Sequence, residues 1–197
     1  MKAAPTHAPP LLESLGLLER AVGYTRVALQ GVTPAMLGNP TPCDRWDLAA
    51  LLDHMVDSLE TLTEAADLGY VALASPEGPP SPVDAVQRLR VQACSLLGAW
   101  SAVARDDAVM VGDRPLSSAV LACAGALEVA VHGWDVAQAT GAGSPMPTLL
   151  ALDLLPWLDV FVTDSDRPSR FGTAVDVPSC GPSTLLLARV GRFAPMP

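Results

Sequence analysis

Between Leu116 and Ala139 the chain is apolar on almost every side of a helical wheel, in LSSAVLACAGALEVAVHGWDVAQA, and Gly141 with Pro145 stops the run. A helix without a polar face has to be covered by other helices, so this segment predicts the central member of a bundle. Glu128 interrupts the run, and Asp153 with Asp159 interrupts a second apolar segment, TLLALDLLPWLDVFV. Neither segment reaches the roughly 18 uninterrupted apolar residues of a membrane-spanning helix.

The partners of that central helix show the same periodicity. Leu11, Leu15, Leu18 and Val22 place one stripe on a first helix ending near Gly31. After the proline-punctuated VTPAMLGNPTPCDRW, Asp44 or Asp47 can cap a second helix carrying Leu48, Leu52, Met55, Leu59 and Leu62. Ser81, Pro82 and Asp84 mark the start of a third, with Val86, Leu89, Ala93, Leu97, Trp100 and Val103 on its apolar side. ARDDAVMVGDRP reads as irregular. Pro156 either kinks or divides a fifth helix. The tail FGTAVDVPSCGPSTLLLARVGR reads as a loop or short extended piece followed by a small helix. Residues 1–10 form a flexible N-terminus, and 11–197 a single domain, since 197 residues support one well-buried core.

Charge excludes two classes of partner. Twelve basic against 21 acidic residues leave a net charge of -9, which opposes nucleic acid and anionic membrane. MKAAPTHAPPLLESLG has prolines where a signal peptide needs a continuous apolar stretch, so a cytoplasmic location is expected. Cys43, Cys94, Cys123 and Cys180 are scattered without metal-ligand spacing and read as reduced thiols.

Only three histidines occur. His54 lies on the shoulder of the second helix's stripe, while Glu128 and His132, four residues apart, stack one turn above each other on the central helix. That spacing is common in exposed ion pairs. Glu128, however, is embedded in ACAGALEVAVHGW, where a core-facing carboxylate is costly unless paired or bound to a cation. With His54 from a facing helix, two imidazoles and a carboxylate make a common ligand set for a catalytic zinc that keeps one position open. Asp135 can orient the second ring nitrogen of His132, or form a local hydrogen bond or ion pair. Ser58, Trp46 and Trp134 are further pocket candidates, the tryptophans having core positions as their alternative. Asp53 and Asp57 read as a solvated face and Cys43 as a small buried hydrophobe. No Gly-rich phosphate loop or nucleophile elbow is present, and no catalytic side chain beyond the metal centre is assigned.

TPCDRWDLAALLDHMV, LEVAVHGWDVAQATG and FGTAVDVPSCGPSTLLLARVGR together resemble the DinB-like metal-binding bundle family, in its actinobacterial branch related to the N-terminal domain of mycothiol-dependent maleylpyruvate isomerase. The resemblance covers most of the chain from about residue 10 onward. It implies an all-α, DinB-like four-helix bundle with additional short C-terminal elements. It also implies a divalent metal, most commonly zinc, with nickel, iron or manganese as alternatives, held by His54, Glu128 and His132. The activity it implies is that of a metal-dependent S-transferase or isomerase that uses a low-molecular-weight thiol, mycothiol, on an electrophilic small molecule. The isomerase's second domain has no counterpart in this sequence, so fold and metal carry over further than reaction does. A thiol-independent metal-assisted hydrolase or cyclase and a non-catalytic ligand-binding bundle are the other readings. An anionic thiol conjugate needs a basic contact near the metal, for which Arg26, Arg45, Arg88, Arg90 and Arg114 are the suppliers.

Overall fold

The computed structural model describes residues 10–43, 46–71, 85–103, 107–168, 170–177 and 180–192. The sequence-predicted features at residues 1–9, Asp44, Arg45, Ser81, Pro82 and Asp84 lie outside them.

Helix α1 (Leu11–Ala28) runs on through a 3-10 turn to Gly31, so it ends where its stripe predicts. Leu18 and Val22 are buried, whereas Leu11 and Leu15 are only partly covered. Helix α2 (Leu48–Leu68) is capped by Asp47, whose carboxylate accepts from Ala50 N at 2.9 Å. It stops at Gly69, whose φ of +65° suits a residue without Cβ. In α3 (Ala85–Ala102), Leu89, Ala93 and Trp100 are buried, and Trp100 Nε1 donates to Leu62 O of α2 at 3.0 Å.

Helix α4 (Ser118–Ala139) starts later than its apolar run suggests. Ser117 is the cap, accepting from Val120 N, and Leu116 belongs instead to a strand. The reason is a β-hairpin that begins in the stretch expected to be irregular and belongs to a small three-stranded sheet. β1 (Tyr70–Val71) pairs in parallel with β2 (Ala108–Val111), which pairs antiparallel with β3 (Arg114–Ser117), placing Val109 opposite Leu116. Gly112 (φ +61°) and Asp113 make the two-residue turn, a hairpin signal short enough to escape a search for helical periods.

Helices α1 and α4, α4 and α2, α2 and α3, and α3 and α1 are neighbours, which closes a ring of four. Helices α1 and α4 approach closely at Gly133, where a Cβ would lie 2.2 Å from Thr25 Oγ1; that hydroxyl donates to Val129 O at 2.8 Å. This contact sets the register of α4 one residue from His132. By length and composition α4 passes as a membrane span, but 78% of its apolar window is buried inside the protein, as its all-round apolar surface predicts. Helix α5 (Thr148–Phe161) continues through Pro156 as one element, and α6 (Pro182–Arg189) packs against it.

Candidate metal centre

Helix α2 presents His54 and Ser58 one turn apart, and α4 presents Glu128 and His132 likewise. The four side chains meet at one oxygen. Glu128 Oε1 lies 2.8 Å from His54 Nε2 and 3.2 Å from His132 Nε2, and Ser58 Oγ donates to it at 3.2 Å. The ligand atoms offered by His54, Glu128 and His132 all lie within 4.8 Å of one another, a spacing that can hold a metal ion. His132 is nearly enclosed at 8% side-chain exposure, while His54 at 34% and Glu128 at 32% leave one side of the cluster open.

Support comes from two directions. The Trp46 ring centroid sits 4.4 Å from that of His54 and 5.9 Å from that of His132. The loop carrying Trp46 is pinned by Thr41 Oγ1 donating to Trp46 O, by Leu48 N donating to Asn39 O, and by Asn39 Nδ2 donating to Ala139 O at the end of α4. On the inner side, His132 Nδ1 meets Asp135 Oδ2 at 3.0 Å, and Asp135 is fully buried. Arg192, itself buried, grips both oxygens of Asp135, with Nε at 3.1 and 3.3 Å and Nη2 at 3.2 Å. An acceptor at Nδ1 assigns the Nδ1 proton and turns Nε2 toward the cluster.

Electrostatics follow from this crowding. Burial pushes the Glu128 carboxyl up, but the charge and hydrogen bond of His132, together with His54, hold it well below the ordinary carboxylate range. Burial works against the His132 charge too, yet Glu128 and Asp135 outweigh it and push the imidazole up to about 10. Without a cation, a proton on His132 therefore balances the Glu128 carboxylate. The stability from His132 is full below its ordinary 6.5 and is lost as pH rises through about 10. That from Glu128 is full above its ordinary 4.5 and is lost as pH falls through its lowered value. Thermal melting of the metal-free protein is expected to show this pair's contribution as a plateau between about pH 4.5 and 6.5 that declines on both sides. A melting temperature that climbs from pH 6.5 to 9 contradicts the pairing.

Of the sequence-derived residues, His54, Ser58, Glu128, His132, Asp135 and Trp46 come together. Trp134 lies in the hydrophobic core, two residues past His132 and so on another face of α4, with no hydrogen bond or ring contact to the cluster among the described residues. Asp57 is exposed as expected, but Asp53 is half-buried, its Oδ1 has no hydrogen-bond partner, and burial pushes its carboxyl up. Cys43 is half-buried, and all four cysteines are free. Among the arginines, Arg26 lines a pocket beside Glu128 and His132, Arg88 faces Glu60 at 3.6 Å, and Arg90 and Arg114 are exposed. Arg192 has no counterpart among the suppliers drawn from the sequence. Its partner lies 57 residues earlier, a separation at which no local spacing could signal the pair.

The fold is that of an all-α, DinB-like bundle with short extra elements, and the His–Glu–His cluster bridges two of its facing helices. The chain belongs to the family described as Mycothiol maleylpyruvate isomerase N-terminal domain, whose profile matches residues 18–137. Two proteins from two strains of Mycobacterium tuberculosis, each described as uncharacterized, are 28% identical to it over 141 residues, covering 70% of this chain and 72% of theirs. The solved mycothiol-dependent maleylpyruvate isomerase shares the fold with a TM-score of 0.59 at 19% identity, over 77% of this chain and 70% of that one. A histidine-to-alanine variant of such an isomerase superposes with a TM-score of 0.55 at 18% identity, over 86% of this chain and 80% of that one.

Proposed function

We propose that this protein holds a divalent cation at His54, Glu128 and His132 and acts, with mycothiol as co-substrate, as an S-transferase or isomerase on an electrophilic small molecule. The observation that carries the proposal is the convergence of two imidazole nitrogens and one carboxylate oxygen within 4.8 Å, open on one side. Two nitrogens and one oxygen match the donor set of catalytic zinc, with nickel, iron and manganese as substitutes. The thiol is supported by the family to which the chain belongs.

When bound, such a cation favours the thiolate form of a thiol near neutral pH. The protein's own residues set the geometry. Asp135 fixes the His132 ring, Arg192 fixes Asp135, and Ser58 holds the shared Glu128 oxygen. Trp46 packs its ring against the His54 imidazole and restricts that ring's movement. The four unpaired cysteines agree with a cytoplasmic setting in which a thiol cofactor stays reduced.

The test is incubation of zinc-loaded protein with mycothiol and a panel of activated alkenes. Loss of free thiol with a matching mass gain in product marks a transferase, and cis–trans conversion without thiol loss marks an isomerase. Either activity is expected to fall at least about 100-fold in His132→Ala, which lacks a metal ligand. Turnover that needs metal but not thiol moves the protein to the hydrolase or cyclase class. Turnover unchanged by chelation removes the metal from the mechanism.

A further inference from the structure

Away from the cluster, at the other end of the α2–α3 pair, lies a recess of about 360 Å³. That is within the roughly 300–1,000 Å³ of small-molecule sites. Helices α2 and α3 run in the same direction: Leu59 shares a pocket wall with Leu89 and Ala93 beside the cluster, while Ala65 and Ala66 share the recess with Ala99 and Ala102. Both helices therefore end here, about 16 Å along α2 from His54. Small side chains make the room. Four alanines from the two helix ends and Ala108 of β2 line it, and Val103 and Val109 complete its apolar part.

The polar groups on this lining are acceptors. The last four carbonyls of a helix have no intrahelical donor. Gly69 N donates to Ala65 O and Val103 N to Trp100 O, but the carbonyls of Ala66, Asp67, Ala99 and Ala102 accept from nothing among the described residues. Asp67 and Asp107 line the recess at exposed positions, and among the described residues neither has an ion-pair partner. The start of α4 supplies no donor through Ser118, whose N–H and hydroxyl both go to Asp107 O at 2.9 Å.

We infer that this recess binds a small primary organic ammonium, its head group donating among the helix-end carbonyls and aspartates and its short apolar body lying against the alanines. The site is separate from the metal centre and does not depend on the proposed function. Charge sets the head group, because two negative helix ends and two carboxylates favour a cation over an anion or a neutral end. Hydrogen bonding narrows it further, since a primary ammonium brings three donors to a lining of acceptors. A bare metal ion fits less well: among the described residues, the group of three close His, Cys, Asp or Glu side chains that could ligate one is His54, Glu128 and His132, at the other site. The room left by the alanines is space for a carbon skeleton.

The experiment is calorimetric titration of the full-length protein, as purified and after chelation, with propyl-, butyl- and pentylammonium, tetramethylammonium, pentanol and pentanoate. Affinity is expected to rise about two- to fourfold per added methylene from propyl- to pentylammonium. Pentanol and pentanoate should bind at least about tenfold more weakly than pentylammonium, and so should tetramethylammonium, which keeps the charge but has no N–H to donate. Ala102→Leu, at an exposed position, fills the recess without burdening the core and should weaken pentylammonium by at least about tenfold. Asp107→Asn should weaken it about fivefold, and Asp113→Asn, exposed in the hairpin turn outside the recess, should change nothing. Pentylammonium that binds the Ala102→Leu and Asp107→Asn proteins as tightly as the parent, or no more tightly than pentanol or tetramethylammonium, overturns the inference. Chelation separates this site from the metal centre: an affinity unchanged within about twofold supports the recess, whereas binding lost with the metal puts the amine on the cation and overturns it.

Discussion

His132→Ala is expected to lower metal affinity by more than about 100-fold while leaving the helical content in place. The loss should exceed that from disturbing an outer hydrogen bond, because a proposed ligand atom is removed and Glu128 is left with one imidazole in place of two. The fold should survive because the cluster sits at the edge of an extensive core in which Leu18, Leu51, Leu52, Leu89, Leu96 and Trp100 are buried without help from it. Glu128→Gln offers a near-isosteric companion that keeps the packing and removes the charge. Elemental analysis of protein purified without chelator or metal-affinity resin, followed by competitive titration, measures both. A parent protein that takes up none of zinc, nickel, iron or manganese would sink the metal assignment. Wholesale unfolding on chelation would make the metal a structural staple instead.

How much of this was legible in the sequence differs by the range of the interaction that fixes each feature. The helices of the bundle follow from spacings of three and four, and the all-round apolar run identifies α4 as the covered one. Glu128 and His132 share a face because of local geometry alone, and His54 joins them through chemistry, since a histidine on the facing helix is what such a pair lacks. The hairpin at Ala108–Ser117 escaped because its strands are four residues each, too short for periodicity, with only Gly112–Asp113 to announce the turn. Trp134 could not be told from Trp46 by composition. Register decides it, since Trp46 precedes the α2 cap and lies over the rings, whereas Trp134 points into the core. Arg192 was invisible for a stronger reason. Its position depends on how α6 docks and on the close backbone approach of Gly191 to Gly172, where a Cβ at 191 would lie 2.4 Å from the Gly172 carbonyl carbon.

That docking gives the second large effect. Arg192→Met is expected to destabilise the protein by roughly 3–5 kcal/mol, because Asp135 is fully buried and the guanidinium is its principal charge partner. Asp135→Asn alone leaves the converse problem, a buried guanidinium without its carboxylate. The combination of Arg192→Met with Asp135→Asn removes both charges and should recover most of the lost stability, since a buried pair replaced as a pair is often close to neutral. Metal affinity should not recover with it. An asparagine at 135 can present its amide N–H₂ to His132 Nδ1, which then accepts, and the ring proton moves to Nε2, the atom proposed to bind the cation. The double variant is therefore expected to melt near the parent yet bind metal about 10–100-fold more weakly. Denaturation curves and metal titration on the same four proteins provide the cycle. Recovery of both quantities together would reduce Arg192 and Asp135 to packing, whereas recovery of stability alone makes them the residues that aim His132.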